Sequence, residues 1–166
     1  MKKILLILSL LFFSISISAD DFVNRFIEKY SESERPLNNV NIGKTMLDRM
    51  AENSSDEELK SAFKELTSIR IVSSEEPEDS RYYYDKANEL VREAFSDYEE
   101  VVSVNESMSK MSVFIKRESD EKQNLILITL DNNGKFSLVT VSGKIDFDSI
   151  SKLSGSLKSE AGIAGG

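Results

Sequence analysis

The sequence predicts an α+β fold, in which helices pack on one face of a mostly antiparallel sheet. In most of the first half, apolar residues recur at helical spacing. From Val101 onward, apolar and polar residues alternate as they do in strands, and turn residues separate the runs. Helices and strands that occur in separate runs are typical of α+β proteins.

The first half is predicted to contain four helices and two short strands. In chain order these are a helix over 22–30, a strand at 40–42, a helix from 44, a helix over 55–66, a strand over 68–72 and a long helix over 80–98. Ser55 followed by Glu58 predicts a capping box at the start of the third helix. A polar, acidic loop over 73–80, which includes Pro77, precedes the long helix. One apolar stripe predicts the buried face of this helix, formed by Tyr83, Ala87, Leu90, Val91, Ala94, Phe95 and Tyr98.

The second half is predicted to form a meander of strands at 101–104, 111–116, 125–130 and 136–141. The nearly continuous apolar run Leu125–Leu130 favours a central strand. A three-residue loop with Gly134 in a left-handed conformation would place Leu130 opposite Phe136 and Ile128 opposite Leu138 on one buried face. A short helix beginning at Asp146 or Asp148 follows, with Ile150 and Leu153 on its apolar side. The small, glycine-rich residues 158–166 predict a flexible tail.

Residues 1–19 have the layout of a secretory signal peptide. Lys2 and Lys3 precede a short apolar run, and small residues lead to Ala19. We expect cleavage after Ala19, with cleavage after Ser18 or an uncleaved anchor as alternatives. The apolar run is shorter than the roughly 20 residues of a membrane span. Since the chain has no cysteine, lipid attachment is excluded, and we expect a soluble periplasmic or secreted protein with one domain over 20–157.

Composition excludes several classes of function. The net charge of −8 becomes −10 when Lys2 and Lys3 are removed, and such acidity argues against nucleic-acid binding. The absence of histidine and cysteine excludes Ser-His-Asp and Cys-His catalysis and the usual zinc sites. The sequence therefore predicts a protein that is not an enzyme and has no cofactor.

Two clusters of residues, one acidic and one of tyrosines, are candidate functional sites. The acidic run Glu75–Asp79 lacks the spaced ligands and turn glycine of a calcium loop, so we interpret it as a solvated loop. The triplet Tyr82, Tyr83 and Tyr84 is a candidate binding surface, because tyrosine provides contact area at low entropic cost. On a helix, however, one or two of the three are expected to face the core.

Two blocks resemble the DUF4252 family, a domain of unknown function in exported proteins of Bacteroidota. The first block runs from Phe26 and Tyr30 through Val40 and Ile42 to Lys44, Met46, Leu47 and Met50. The second comprises Leu138, Val141, Gly143, Lys144, Ile145, Asp146, Ile150 and Leu153. With the central hairpin, the resemblance covers about residues 22–157. It implies a small exported α+β protein and transfers no catalytic or ligand residue.

Three functions remain open. The first is an exported, non-enzymatic protein that binds an envelope protein or senses its surroundings. The second is a binder of a small apolar molecule or lipid, with a pocket between the long helix and the sheet lined by Tyr83, Phe95, Phe114 or Phe136. The third is a hydrolase that uses carboxylates or a Ser-Lys pair, which requires two such groups within hydrogen-bond reach in a cleft.

Overall fold

The computed structural model describes residues 19–32 and 34–146. The predicted signal peptide, apart from Ala19, therefore lies outside the described residues. The same holds for the predicted C-terminal helix beyond Asp146, with Ile150 and Leu153, and for the tail over 158–166.

Four helices and six strands lie within the described part of the chain. They follow the order α1 (Ala19–Tyr30), β1 (Asn38–Gly43), α2 (Lys44–Asn53), α3 (Glu57–Glu65), β2 (Leu66–Ser74), α4 (Pro77–Ala94), β3 (Glu99–Asn105), β4 (Lys110–Arg117), β5 (Gln123–Leu130) and β6 (Phe136–Gly143). The six strands form one sheet in the order β1-β2-β6-β5-β4-β3, and every neighbouring pair is antiparallel. The predicted α+β class is confirmed, and Leu125–Leu130 lies in a central strand as predicted.

The β5–β6 hairpin has the predicted register. Leu130 pairs with Phe136 and Ile128 with Leu138, and Gly134 has a φ of 74°. The Asp131 carboxylate accepts hydrogen bonds from the backbone N–H groups of Asn133 at 2.8 Å and Lys135 at 2.9 Å. Turn chemistry and strand alternation together therefore determine this register.

Gly134→Val is expected to destabilise the protein by more than about 1 kcal/mol. A β-branched residue is strained at positive φ, and an added Cβ would lie 3.1 Å from Cβ of Pro77 at the start of α4. Urea denaturation measures the loss. Asn133→Ala in the same turn is the control, because it leaves the backbone hydrogen bond to Asp131 in place. Equal midpoints for Gly134→Val and wild type would show that the turn tolerates a side chain here.

The larger part of the core lies between one face of the sheet and helices α1 and α4. The predicted stripe of α4 is buried at Tyr83, Ala87, Leu90 and Val91. This stripe packs against α1 and against the strand side chains on one face of the sheet. Together they form a single cluster, which includes Phe22, Val23, Phe26, Val72, Phe114, Ile126, Ile128, Phe136 and Leu138. The face of α4 that the sequence periodicity predicts to be buried is therefore the face that packs into the core.

The prediction that the helices pack on one face needs correction, because α2 and α3 lie on the other face. Their buried residues Leu47, Ala51 and Phe63 cluster with Ile69 and Leu125, whereas Val72 and Ile126 belong to the α1–α4 cluster. Successive side chains of a strand point to opposite faces. In the central strands, apolar side chains point to both faces of the sheet, so both faces must pack against other elements.

Two helix starts also differ from the predictions. Asp56, and not Ser55, caps α3, since its carboxylate accepts hydrogen bonds from the N–H groups of Glu58 at 2.9 Å and Leu59 at 3.2 Å. Helix α4 begins at Pro77, a residue suited to the first helical position because it lacks an N–H group. The helix ends at Ala94, although Phe95 and Tyr98 beyond it remain buried.

Candidate functional site

The second face of the sheet is aliphatic across all six strands. Residues directly opposite in antiparallel pairs share a face, and the strand registers connect these positions into one surface. Its members are Val40, Ile42, Ile69, Ile71, Val102, Val104, Met111, Val113, Ile115, Leu125, Leu127, Val139 and Val141. We call this surface the aliphatic face.

Helices α2 and α3 cover only one end of the aliphatic face. Ile69, Ile115 and Leu125 are buried in the cluster that also contains the helix residues Leu47, Ala51 and Phe63. Farther along the same strands, Leu127 and Val139 are only partly buried. At the two edges of the sheet, Val40 is 50% exposed and Val102 is 39% exposed. Much of this surface therefore lacks a partner among the described residues.

Much of the aliphatic face, including the buried residues Ile69 and Leu125, forms the floor of an open cleft of about 1410 Å³. Helix α3 bounds it on one side, and the chain that leaves β6 bounds it near Ile145 and Asp146. A backbone hydrogen bond of 3.0 Å from Lys144 N–H to the Glu65 carbonyl joins these two walls. The eight aliphatic floor residues are Ile69, Ile71, Val104, Met111, Leu125, Leu127, Val139 and Val141.

The charged rim of the cleft is acidic. Among the described residues that line it are six carboxylates, Glu58, Glu65, Glu75, Glu106, Asp131 and Asp146, and three lysines, Lys110, Lys135 and Lys144. The Lys135 ammonium lies 3.6 Å from the Glu75 carboxylate, and both side chains are exposed. The excess of carboxylates favours neutral or cationic groups at the mouth.

Among the described residues, the shifted pKa values belong to side chains outside the cleft. Burial raises the pKa of Tyr83, and the nearby Asp79 carboxylate raises it further. The hydrogen bond between Lys86 and Glu89, 2.9 Å long, raises the pKa of the lysine and lowers that of the glutamate. A hydrogen bond from Lys122 lowers the pKa of Glu118. Burial and ordinary ion pairs explain all four shifts.

The tyrosine triplet is divided between core and surface. Tyr83 is fully buried and donates a 2.6 Å hydrogen bond to the Arg35 carbonyl. Tyr84 is buried with its hydroxyl 3.3 Å from Oγ of Ser112. Tyr82 is partly buried, and the Arg35 guanidinium lies 4.3 Å from the centre of its ring. Two of the three thus face the core, as helical geometry predicts, and a binding role for the triplet stays a prediction.

The predicted pocket between the long helix and the sheet is closed. Its four expected lining residues, Tyr83, Phe95, Phe114 and Phe136, are all buried in the α1–α4 core. A polar groove of about 500 Å³ runs between α4 and the β3–β4 edge, with Asn88, Arg92 and Lys110 among its walls. The large apolar cleft lies on the opposite side of the sheet. In the sequence, this cleft is indicated by β5, in which consecutive residues are apolar and therefore place apolar side chains on both faces of the sheet.

The acidic run Glu75–Asp79 is engaged in ion pairs. Glu75 pairs with Lys135, and the Asp79 carboxylate lies 3.4 Å from Nε of Arg35. In the described part of the chain, no three acidic side chains converge in a group that could hold a metal ion.

Comparison with known proteins identifies the family. A family model described as a domain of unknown function, DUF4252, matches residues 30–153. The chain belongs to the DUF4252 family. The match begins at the last residue of α1, covers every strand of the sheet and continues past the described chain to Leu153. No curated protein and no solved structure matches this DUF4252 chain. None of its described helices combines the length and hydropathy needed to cross a bilayer.

Proposed function

We propose that this DUF4252 protein is an exported, non-enzymatic binding protein whose cleft holds a small molecule with an acyl chain. The observation that carries the proposal is the cleft of about 1410 Å³, whose floor is aliphatic and lacks a partner among the described residues over much of its area. Ligand sites are concave and mainly apolar. Each methylene group that leaves water for such a floor contributes about 0.8 kcal/mol.

The side chains of the cleft favour a small apolar ligand over a protein partner. Protein interfaces concentrate their binding energy in tryptophan, tyrosine and arginine, and none of the described residues that line the cleft is of these types. Branched aliphatic side chains such as Val139 and Ile71 instead match a hydrocarbon chain. The proposal therefore gives the ligand a long apolar part.

The acidic rim favours a neutral or cationic head group. Six carboxylates face three lysines around the mouth, so a fatty-acid anion would meet net repulsion. A monoacylglycerol places hydroxyl groups there without added charge. We therefore propose a neutral acyl lipid as the ligand class.

The non-enzymatic part of the proposal is supported by the chemistry of the floor. A hydrolase would need a nucleophile and a base, or two carboxylates, within reach of the bound molecule. The side chains with shifted pKa values, such as Glu118 and Tyr83, lie outside the cleft. The floor itself offers hydrocarbon contacts, which suit binding without bond cleavage.

A second candidate function is protein binding at the edges of the sheet. Val40 on β1 and Val101 on β3 are about half exposed, at 50% and 47%, and edge strands offer unpaired backbone groups to another chain. An envelope protein that adds a strand to β3 would use these groups.

Titration of the purified mature chain with the uncharged fluorescent dye Nile red tests the ligand proposal. Val139→Lys places a charge in the centre of the floor, and we expect it to weaken dye binding by about tenfold or more, which is 1.4 kcal/mol or more. Val104→Lys, on the edge strand β3, should have the same effect with less disturbance of the sheet. Met108→Lys, at a position 68% exposed and outside the cleft, is the matched control.

Displacement of the dye tests the head-group assignment. Monoolein should displace Nile red at lower concentrations than oleate, because the chain is the same and only the anion meets the acidic rim. If Val139→Lys and Val104→Lys bind the dye as tightly as wild type, and circular dichroism shows that both are folded, the cleft is not the binding site. A preference for oleate would contradict the neutral head group.

A further inference from the structure

We propose that the polar groove between α4 and the β3–β4 edge binds a neutral saccharide. The groove has a volume of about 500 Å³, which is in the range of small-molecule sites. It lies on the α4 side of the sheet and therefore opposite the aliphatic floor. A saccharide site in this groove does not depend on the proposed acyl ligand.

A buried amide oxygen of the groove has no hydrogen-bond partner. Asn88 lines the groove and is only 6% exposed. Its Nδ2 donates a 3.0 Å hydrogen bond to the Tyr84 carbonyl. This bond fixes the orientation of the amide, because a flipped amide would place two acceptors against each other. Oδ1 then accepts no hydrogen bond from any described residue. A buried acceptor without a donor costs free energy, and a donor from a ligand removes that cost.

A pair of buried hydroxyl groups lies beside Asn88 in the same groove. The hydroxyl oxygens of Tyr84 and Ser112 are 3.3 Å apart, and both side chains line the groove. Two hydroxyl groups carry two hydrogens, and the bond between them uses only one. The other hydrogen has no acceptor among the described residues. The groove thus offers an acceptor at Asn88 and a donor at this pair, and ligand hydroxyl groups, which both donate and accept, match the two.

The charges around the groove favour a neutral ligand. Its charged lining residues are Asp85, Glu89, Arg92, Glu93 and Lys110. Two of these are already paired, since Glu89 lies 2.9 Å from Nζ of Lys86 and Arg92 lies 3.1 Å from the Glu100 carboxylate. Positive and negative groups are therefore mixed at the rim, so an anion or a cation would meet charge of its own sign. Hydroxyl groups accept from the cations and donate to the carboxylates.

The bottom of the groove becomes accessible when a neighbouring side chain moves, because Oδ1 of Asn88 is shielded from solvent. Lys110 is placed to make this movement. Its Nζ lies 5.8 Å from the centre of the Tyr84 ring, and Tyr84 precedes Asn88 by about one helical turn on α4. Lysine has a flexible stem, so its ammonium group can leave the ring and admit a ligand hydroxyl.

Saccharides occur free and as the head groups of lipids, and both sources fit this groove. It adjoins the aliphatic cleft at the β3–β4 edge, where Val104 and Lys110 line both. A glycolipid with its acyl chain in the cleft would place its sugar at this edge. The glycolipid source rests on the proposed function, whereas binding of a free saccharide does not.

Chemical-shift titration of the isotope-labelled mature chain tests the site. Glucose, maltose and N-acetylglucosamine are added separately at millimolar concentrations. We expect at least one of them to shift the side-chain amide signal of Asn88 and the backbone signal of Ser103, another groove residue, in a saturable manner. The side-chain amide of Asn53, which is exposed on α2, should not shift. If none of the sugars shifts the Asn88 signal, the groove holds only water and the proposal fails.

Asn88→Leu separates binding from folding. Leucine has a similar shape and removes the buried acceptor that has no donor, so the urea midpoint should stay the same or rise. Sugar binding should weaken by about tenfold, which is the effect of one lost hydrogen bond. Asn53→Leu is the matched control and should keep the affinity of the wild type. Ser112→Ala removes only a hydroxyl group and should also weaken binding, even if leucine at position 88 disturbs the fold. Unchanged affinity in both groove variants would overturn the site.

Octyl glucoside, used below its critical micelle concentration, distinguishes the two sources of the sugar. Shifts at both Asn88 and Val139, with tighter binding than glucose, would support a glycolipid that uses the groove and the cleft together. Shifts at Asn88 alone, with the affinity of glucose, would support a free saccharide and count against the acyl ligand. Shifts at Val139 alone would support the cleft and overturn the saccharide site.

Discussion

Gly143→Ala is expected to lower the free energy of unfolding by about 3–5 kcal/mol, a large part of the 5–15 kcal/mol typical of a domain. The added Cβ would lie 2.5 Å from the Glu65 carbonyl oxygen and 2.7 Å from Cα of Leu66. Both are backbone atoms and cannot rotate away. Gly143 also has a φ of 134°, which strains any residue with a side chain. Strain and overpacking therefore act together.

Gly43→Ala provides the matched control for this prediction. Gly43 also ends a strand, but no atom lies within 4 Å of its added Cβ, and its φ is −89°. We expect a loss of about 1 kcal/mol, since alanine is a poorer helix cap than glycine but meets no clash here. Urea denaturation of both variants measures the difference. Similar midpoints for the two would show that β6 and the start of β2 are farther apart than the structure indicates.

Phe26→Ala is expected to cost about 3–5 kcal/mol, the usual range for a buried phenylalanine. The Phe26 ring is fully buried, and its centroid lies 5.5 Å from that of Tyr30 and 5.9 Å from those of Tyr83 and Phe136. It thereby joins α1 to α4 and to the central strand β6. Removal of the ring leaves a cavity at the junction of three elements, which can close only in part.

Thermal and urea denaturation of Phe26→Ala measure this cost, with Met46→Ala as the control. Met46 is 54% exposed on α2, so its truncation should change the stability by less than about 0.5 kcal/mol. A loss below about 1 kcal/mol for Phe26→Ala would show that α1 contributes little to the fold. Cleavage after Ala19, as the sequence predicts, would keep Phe26 and nearly all of α1 in the mature protein.

The hairpin register and the buried face of α4 could be predicted because local chemistry determines them. Gly134 and Asp131 define the turn, and the turn aligns Leu130 with Phe136. The start of α3 was predicted less well, since Ser55 and Asp56 are both competent caps. Only the backbone conformation, which directs the Asp56 carboxylate to two N–H groups, decides between them.

The second face of the sheet could not be predicted from one strand at a time. An apolar run such as Leu125–Leu130 indicates that both faces of the strand are apolar. It does not indicate which helix covers which face. Which side remains open depends on the order β2-β6-β5, in which residues more than 60 positions apart become neighbours. For this reason we predicted from the sequence an apolar pocket between α4 and the sheet, whereas the cleft lies on the opposite face of the sheet.

The position of β6 between β2 and β5 has a consequence for how the chain folds. Strands β3, β4 and β5 follow one another as hairpins, but β1 and β2 join them only through β6. Since β6 is the last of the six strands in chain order, the two parts of the sheet cannot join until the chain through β6 is available. Pairing over such separations is slow. We therefore expect the two halves to fold as one late, cooperative unit, and a chain interrupted before β6 to expose the inner edges of both.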